Sequence, residues 1–386
     1  MTYVITNGVI YTEEAHIEAG YIIVDEGQIR AIEPGSYTGD LPTLDAKGRH
    51  ILPGFIDIHI HGGYGEDAMD ASYDGLKHLA EQLLSEGTTS FLATTMTQAQ
   101  DAIEHALQNV SHYYQHQEAG QAAEIVGVHL EGPFISENKI GAQNPAYIQR
   151  PTSALLNQYQ QAADGLIKIV TIAPEVEGAL EVIKSLKDEV IFSMGHTEVD
   201  FDKANEAARA GVQHVTHLYN AGVGFHHRNP GLFGAAWENE RLNTELIVDG
   251  VHSHPTSINL AYQHKGPDHF YLITDAMRAK GMTEGEYELG GQKVIVKDHE
   301  AHLETGSLAG SILKMNEGLQ NLMRFTGKSL AELWPVTSLN QAKALKIDDR
   351  KGSIAIGKDA DLVIVDDEVQ VHQTIKHGYV HDYTKK

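Results

Sequence analysis

Hydrophobic residues in the middle of the chain occur in short runs that polar or turn residues separate. The predicted strands are Ile51–His61, Thr88–Thr94, Glu124–Glu131, Ile167–Ile172, Val190–Met194, Val212–His217, Thr244–Val248 and Phe270–Thr274. Such runs lack two-residue alternation and are typical of parallel strands buried on both faces. Helical stretches follow most of them, among them Tyr73–Ser85, Gln98–Tyr114, Ser153–Ala163, Val176–Leu186 and Asp202–Ala210. Eight strands with helices between them predict an α/β fold, a (β/α)₈ TIM-type barrel, with a doubly wound open sheet as the alternative.

Both ends of the chain are richer in β-branched and aromatic residues than the middle. Tyr3–Tyr11 near the N-terminus and Asp361–Val365 near the C-terminus are predicted strands, with glycine-containing turns beside them. We therefore expect a small β-sandwich domain built from both termini, residues 1–52 and 350–386, beside a barrel of residues 53–349.

Composition narrows the class of protein. The 386 residues include 53 acidic and 29 basic side chains, a net charge of −24, and no cysteine. The negative charge argues against binding to nucleic acid or to an anionic membrane. Without cysteine, a disulfide framework and a thiol nucleophile are excluded. The N-terminal residues lack a signal-peptide pattern, and no apolar stretch approaches the roughly 18 residues of a membrane span. We expect a cytoplasmic protein.

Histidines mark the end of the first predicted barrel strand. His59 and His61 are two residues apart, so their side chains point to the same side of the strand and toward the mouth of a barrel. Imidazole is a common ligand of Zn and Fe, and this spacing suits a metal ion. On its own, the pair favours a half-exposed strand that carries two histidines over a metal site.

Polar residues end four further predicted strands. Glu131, His196, His217 and Asp275 each follow a run of apolar residues. Buried carboxylates and imidazoles cost several kcal/mol unless they are paired, so a shared metal centre is the most economical explanation. We expect His129 to be a packed histidine beside this centre.

The sequence gives less support to other candidate metal-ligating, nucleophilic or cofactor-binding residues. His214 lies three residues before His217 and is expected to face away from it. Lys168, the candidate for a carboxylated bridging lysine, lies near the start of its strand, away from the mouth. No G-x-S-x-G elbow is present, and the glycines of Gly62–Gly65 match neither a dinucleotide fingerprint nor a P-loop.

Several motifs together carry a resemblance to a known family. Pro53–His61 resembles the strand-one signature of the amidohydrolase superfamily, and Gly357–Asp366 resembles its C-terminal β-domain signature. Further motifs occur in the order typical of the N-acetylglucosamine-6-phosphate deacetylase family, over essentially the whole chain. They are His129–Phe134, Gly195–Thr197, His217–Ala221, Asn229–Leu232, Val248–His252, Thr274–Ala276 and Leu308–Ser311.

The resemblance implies roles for individual residues. Glu131, His196 and His217 would bind one divalent metal ion, and Asp275 would be the catalytic acid/base. A second ion would be held by His59, His61, Glu131 and Asp275, with Zn, Fe, Co or Mn as the metal. The implied substrate contacts are Ala142, Gln143, Asn220, Ala221, Arg228, Asp249, Gly250, Val251, His252, Ser307, Leu308 and Ala309. Some family members carry His in place of Gln143.

The reaction implied by the resemblance is metal-dependent hydrolysis of the acetamide of N-acetyl-D-glucosamine 6-phosphate. Arg228 suits the 6-phosphate because guanidinium binds phosphate bidentately. His226 and His227 either add to this phosphate pocket or contact a neighbouring subunit, and a homodimer is the expected assembly. The alternatives are another amidohydrolase (a cyclic-amide hydrolase or a deaminase) and a noncatalytic sugar-phosphate-binding barrel, which would not need Asp275.

Overall fold

The computed structural model describes residues 1–384. Its strands are β1 (Tyr3–Tyr11), β2 (His16–Asp25), β3 (Gln28–Pro34), β4 (Thr43–Asp45), β5 (His50–Pro53), β6 (Phe55–Ile60), β7 (Gly62–Gly63), β8 (Glu66–Asp67), β9 (Thr88–Thr94), β10 (Glu124–Glu131), β11 (Ile167–Ile172), β12 (Ile191–Met194), β13 (Val212–Val215), β14 (Asn243–Ile247), β15 (Phe270–Ile273), β16 (Gly285–Leu289), β17 (Gln292–Lys297), β18 (Glu300–Leu303), β19 (Leu362–Val365), β20 (Val371–Lys376) and β21 (Tyr379–Asp382).

Most of the helices lie between these strands. They are α1 (Tyr73–Leu83), α2 (Gln100–His116), α3 (Ser153–Ala162), α4 (Ala179–Leu186), α5 (Phe201–Ala210), α6 (Gly231–Glu238), α7 (Pro255–Lys265), α8 (Met315–Thr326), α9 (Leu330–Leu333) and α10 (Leu339–Leu345). Within residues 1–384, none is both long and apolar enough to cross a membrane.

Eight parallel strands form the barrel, in the order β6, β9, β10, β11, β12, β13, β14 and β15. The order follows the sequence without reversal, so the doubly wound sheet is wrong and the predicted (β/α)₈ barrel is confirmed. Hydrogen bonds bring the two edge strands together just beyond β15. The Asp275 amide donates to the His59 carbonyl (2.8 Å), and the His61 amide donates to the Ala276 carbonyl (2.9 Å). The seam of the barrel therefore joins residues of the predicted metal centre.

The first barrel strand is shorter than predicted. Ile51–His61 is not one strand, because Gly54 separates β5 from β6. β5 pairs antiparallel with β19 in the sheet of the chain ends, and β6 pairs parallel with β9 in the barrel. The apolar run continues across both sheets, so hydrophobicity alone does not show where the chain passes from one to the other.

The chain ends build a second sheet of eight strands. Its order is β21, β20, β19, β5, β1, β2 and β3, with β4 also paired to β1. The strands are joined into one hydrogen-bonded sheet, where the sequence predicted a sandwich. Ile5, Ile22 and Leu362 belong to its own apolar core. The prediction of a small β unit from both termini is therefore confirmed.

Two apolar layers support the barrel. The inner layer includes Ile58, Ile169 and Ile273, and the outer layer, between the strands and the helices, includes Phe91 and Phe192. These side chains are almost fully buried. Because the barrel is filled with packed side chains, polar residues at the strand ends are held in defined positions.

A three-stranded antiparallel sheet of β16, β17 and β18 lies at the mouth of the barrel. The Gln292 side chain donates to the Ala142 carbonyl (2.6 Å), which ties this sheet to the loop after β10. Leu289, at the end of β16, faces the cavity described below. The sheet therefore forms one wall of the candidate site.

Candidate active site

Six polar side chains converge at the carboxyl ends of the barrel strands. His59 is on β6 and His61 directly follows it; Glu131 ends β10; the other members are His196 after β12, His217 after β13 and Asp275 after β15. Each residue is at most 8% exposed. The structure therefore brings together every residue that the sequence assigned to a metal centre.

Three of these residues follow a barrel strand in an unusual backbone conformation. The φ angles are 49° at His196, 29° at His217 and 47° at Asp275. Residues other than glycine rarely adopt such positive values. Such a conformation costs about 1–3 kcal/mol per residue and persists where the surrounding structure enforces it. Here it turns the chain sharply at the strand end. As a result, β13 ends before His217 and β15 before Thr274, the residues at which the sequence predicted these strands to end.

Glu131 lies at the centre of the cluster. Its Oε1 is 3.1 Å from the Nε2 atoms of both His196 and His217, and its Oε2 is 3.1 Å from Nε2 of His61. Asp275 Oδ1 is 3.2 Å from Nε2 of His61 and 3.4 Å from Nε2 of His59. The ligand atoms form two sets that share Glu131: one with His59 and His61, the other with His196 and His217.

The hydrogen bonds at Nδ1 of three histidines show which ring nitrogen carries the proton. Nδ1 of His59 lies 3.1 Å from the Glu245 carboxylate, and Nδ1 of His61 and of His196 lie 3.2 and 2.8 Å from the carbonyls of Thr94 and Lys139. Carboxylate and carbonyl oxygens only accept hydrogen bonds, so each Nδ1 donates. In the neutral ring, the Nε2 lone pair then points at the centre.

This arrangement fits a divalent cation. Nε2 of His196 and Nε2 of His217 are only 3.2 Å apart, and Nε2 of the buried His59 has no hydrogen-bond partner among the described residues. Lone pairs that face each other and face carboxylate oxygens repel unless a positive charge lies between them. Imidazole nitrogens and carboxylate oxygens are ligands for Zn and for Fe. The cluster can therefore hold a metal ion in either ligand set.

The pKa values of His61 and Glu131 also indicate that the cluster favours positive charge. Burial opposes a charge on His61, yet hydrogen bonds to Asp275 and Glu131 raise the pKa of its imidazole to about 10. Burial also opposes a charge on Glu131, but the surrounding histidines hold the pKa of its carboxyl well below the usual range. The site therefore stabilises an ionised carboxylate together with cations.

His129 lies beside the cluster without belonging to it. Its Nδ1 is 2.9 Å from the Ile58 carbonyl, and its Nε2 is 2.7 Å from the Thr171 hydroxyl. Burial lowers the pKa of His129 to about 4. Both nitrogens are occupied, which agrees with the packed histidine predicted from the sequence.

Glu245 is a functional candidate that the sequence reasoning missed. It lies in β14, fully buried, and accepts the hydrogen bond from His59. His214, expected to face away from His217, also lies inside the barrel. Its Nδ1 is 3.7 Å from Glu245 Oε1, and its ring is tilted by 56° against the ring of Tyr271. The available signal was a single carboxylate within an apolar strand, where an isolated charge is costly.

A cavity of about 260 Å³ opens above the cluster. Its lining includes His61, Glu131, His196, His217 and Asp275 from the cluster. It also includes seven of the predicted substrate contacts, namely Ala142, Gln143, Asn220, Ala221, His252, Ser307 and Leu308. Met96 and Leu289 add apolar surface that the sequence analysis did not identify. A small molecule in this cavity would meet both Glu131 and Asp275.

Gln143 is held against the cluster. Its Nε2 donates to Glu131 Oε2 (2.9 Å), and its Oε1 accepts from the Thr97 amide (2.7 Å). The Thr97 contact fixes which end of the amide faces Glu131. Gln143 therefore positions the central carboxylate in addition to lining the cavity.

His252 lies where the first cavity meets a second one of about 460 Å³. Its Nδ1 is 2.6 Å from Asp249 Oδ2. Burial opposes a charge on His252, but the hydrogen bond and the charge of Asp249 raise the pKa of the imidazole. A cationic His252 would suit an anionic group of a ligand.

The remaining predicted contacts lie outside the first cavity. Asp249 and Val251 line the second cavity, and Ala309 is fully buried. Gly250 packs near Phe325 and lines neither cavity.

Arg228 is exposed, and the structure does not bring it into the cavity of this chain. Its guanidinium lies 2.7 Å from Nε2 of His227, and within residues 1–384 no carboxylate forms an ion pair with it. The guanidinium of Arg228 is therefore not neutralised by any carboxylate of the described residues.

A filled parallel barrel with imidazoles and carboxylates at the carboxyl ends of its strands defines a barrel protein with a candidate metal centre where barrel enzymes have their active sites. The sequence model of the amidohydrolase family matches residues 50–380. The chain belongs to the amidohydrolase family.

The chain is similar to several proteins that are named as deacetylases. It is 48% identical to the N-acetylglucosamine-6-phosphate deacetylase of Bacillus subtilis, over 96% of this chain and 95% of the relative. It is 34% identical to the N-acetylgalactosamine-6-phosphate deacetylase of Escherichia coli O157:H7, over 97% of each. The crystal structure of the N-acetylglucosamine-6-phosphate deacetylase of Pasteurella multocida superposes with a TM-score of 0.93 at 29% identity, over 99% of this chain and 100% of that one. The resemblance predicted from the motifs is therefore confirmed.

Proposed function

We propose that the chain hydrolyses the acetamide of N-acetyl-D-glucosamine 6-phosphate to D-glucosamine 6-phosphate and acetate. The observation that carries the proposal is the Glu131-centred cluster at the floor of a cavity, with Asp275 facing the same space. The relative with 48% identity carries the name of this activity.

The cluster is suited to one or two divalent ions, Zn, Fe, Co or Mn. Glu131, His196 and His217 would hold one of them, and His59, His61, Glu131 and Asp275 the second. A bound divalent cation lowers the pKa of a water molecule from 15.7 to about 7 and polarises a carbonyl oxygen.

Asp275 is the residue best placed to move protons. Its carboxylate follows the eighth barrel strand, β15, and lines the cavity, with 12% of the side chain exposed. In the proposed reaction it accepts a proton from the attacking water and then donates that proton to the departing amide nitrogen. The C–N bond breaks only when the nitrogen leaves as a neutral amine, so this second transfer matters as much as the first.

The substrate contacts follow from the shape and charge of the cavity. The residues that line the cavity include Asn220 and Ala221, which follow β13, and Ser307 and Leu308, which follow β18. His252, whose pKa is raised by Asp249, offers a positive charge to the carbonyl oxygen or to the phosphate. Arg228 lies outside the cavity of its own chain, so as the proposed phosphate anchor it would have to reach the cavity of a second copy in the predicted homodimer. Its cation is available for this role because it has no carboxylate partner within the described residues.

A second candidate substrate is N-acetylgalactosamine 6-phosphate. The relative named for that activity is 34% identical to the chain over nearly its full length. The two sugars differ only at the C4 hydroxyl. We favour the glucosamine derivative because the relative named for it has the higher identity, 48%.

Hydrolysis of a panel of substrates tests the proposal, measured as acetate release from the acetamido sugars, ring opening of the imide and ammonia release from the aminopurine. The panel contains both 6-phosphorylated acetamido sugars, unphosphorylated N-acetylglucosamine, a cyclic imide and an aminopurine. The proposal expects the highest kcat/KM for N-acetylglucosamine 6-phosphate. A higher value for the imide or the aminopurine would assign a different amidohydrolase reaction, and no turnover of any compound would favour a noncatalytic barrel.

The cytoplasmic location and the homodimer predicted from the sequence stay predictions. Light scattering coupled to size-exclusion chromatography measures the second directly. A mass of one chain would contradict the homodimer.

A further inference from the structure

Glu245 is a carboxylate at an unusual depth in the barrel. It lies within β14, not at its end, and no part of it is exposed. Burying an ionised carboxylate among apolar side chains is costly unless hydrogen bonds or charges compensate. Its neighbours are His59 and His214, which are equally buried. A residue that is expensive to bury and lies below a candidate metal centre calls for an explanation.

The contact with His59 supplies one. Glu245 Oε2 lies 3.1 Å from Nδ1 of His59, while Nε2 of the same ring faces Glu131 (3.6 Å) and Asp275 (3.4 Å). An imidazole that donates from Nδ1 to a carboxylate becomes a stronger ligand through Nε2 and is held in one orientation. The bond therefore fixes both the direction and the basicity of the His59 lone pair.

His59 differs in this respect from two other histidines of the cluster. His61 and His196 donate from Nδ1 to the neutral carbonyls of Thr94 and Lys139. His59 instead faces a carboxylate. The negative charge of Glu245, which lies behind His59, would also offset part of the charge of a cation bound by His59, His61 and Glu131.

We propose that Glu245 is a positioning residue that enables the ligand set of His59, His61 and Glu131 to hold a second metal ion. Within residues 1–384, no hydrogen bond or ion pair joins Glu245 to Glu131, His196 or His217, so an ion held by those three residues should be independent of Glu245. The inference rests on the proposed metal centre, not on the identity of the sugar.

Two substitutions separate the possible roles of Glu245. Glu245→Gln keeps the shape and can still accept from His59 through its amide oxygen, but it removes the charge. Glu245→Leu removes the acceptor as well. Thr244→Val is the control, because Thr244 is equally buried in the same strand and its hydroxyl contacts the His269 carbonyl, away from the cluster.

The measurement is Zn²⁺ binding at equilibrium against chelator-buffered Zn²⁺, counted by elemental analysis. The wild type and Thr244→Val are expected to bind two ions. Glu245→Gln and Glu245→Leu should bind one ion unchanged and the other more weakly, by roughly 10–100-fold, with the larger loss in the leucine variant. The weakened ion should be the one that His59→Ala loses.

Three results would overturn the inference. They are a wild type that binds a single ion at saturation, variants that bind both ions as the wild type does, and variants in which both ions weaken equally. The last would indicate a general structural role. Because no substrate is used, the outcome is independent of the proposed reaction: a protein that released no acetate could still show the selective loss of one ion.

Discussion

Replacing Asp275 by asparagine should remove proton transfer while leaving the structure of the site in place. Asp275 has a φ of 47°, a conformation in which asparagine and aspartate are several-fold enriched, so asparagine fits the backbone where alanine would be strained. The amide is nearly the same size as the carboxyl but cannot accept a proton from water or pass one to a leaving nitrogen.

The magnitude follows from the position of the carboxylate. Asp275 lines the cavity, with Oδ1 3.2 Å from Nε2 of His61, and no other carboxylate of the cluster is as exposed. A positioned general acid/base is worth roughly 10²–10⁴-fold in rate. This corresponds to about 3–5 kcal/mol of activation free energy at 1.36 kcal/mol per tenfold. We expect kcat for acetate release to fall by that factor.

The assay combines steady-state acetate release with elemental analysis of the same samples. Glu206→Gln is the matched control, since Glu206 is an exposed carboxylate that pairs with Lys203 on α5, and it should keep the wild-type kcat. Asp275→Asn should retain the ion of Glu131, His196 and His217. A wild-type kcat in Asp275→Asn would refute the role in proton transfer. Loss of that ion together with activity would refute the separation of proton transfer from metal binding.

Other substitutions test the remaining parts of the account. Glu131→Gln should lose bound metal and activity together. A variant that elemental analysis shows to be metal-free and that is still active would contradict the proposed metal centre. Arg228→Ala should lower kcat/KM for the phosphorylated sugar by about a hundredfold, the worth of two charge-assisted hydrogen bonds, with turnover of unphosphorylated N-acetylglucosamine nearly unchanged; equal losses on both sugars would contradict a phosphate anchor. Asp361→Asn should lower the free energy of unfolding at pH 7 by about 2 kcal/mol, because buried Lys351 and Lys376 lose one of the two carboxylates that they share and keep the other, Glu124. Those lysines, against the cost of burial, hold the pKa of Asp361 at about 2, below its ordinary value near 3.9, so the wild type should lose about 2 kcal/mol of this stability as pH falls from about 4 to about 2. Urea unfolding at pH 7 and at pH 2 measures both effects, and a variant as stable as the wild type at pH 7 would contradict them.

The barrel strands were predictable because their apolar runs are bounded by polar residues. The bounds of β9, β10 and β11 match the predicted strands residue for residue. The passage from β5 to β6 was not predictable in this way, since the residues on both sides of Gly54 are apolar and buried. The signal was Pro53 followed by Gly54, which interrupts a strand without changing its hydrophobicity.

The candidate site was predictable where chemistry and position coincide. His59, His61 and Glu131 stand out because polar groups at the ends of apolar strands need a partner. Glu245 was missed because it lies within its strand, and only the closed barrel shows that it reaches His59. Arg228 lies in a loop whose course no periodic pattern determines, so the sequence could suggest its chemistry but not its distance from the cavity.

The most direct test of the account is to follow both products of N-acetylglucosamine 6-phosphate with and without bound metal. The metal-loaded protein should release acetate and D-glucosamine 6-phosphate in equal amounts. Removal of the ion by a chelator should abolish this release, and Zn²⁺, Fe²⁺, Co²⁺ or Mn²⁺ should restore it. Full activity in protein shown by elemental analysis to be metal-free, or metal-loaded protein that releases neither product, would contradict metal-dependent deacetylation at the Glu131 cluster.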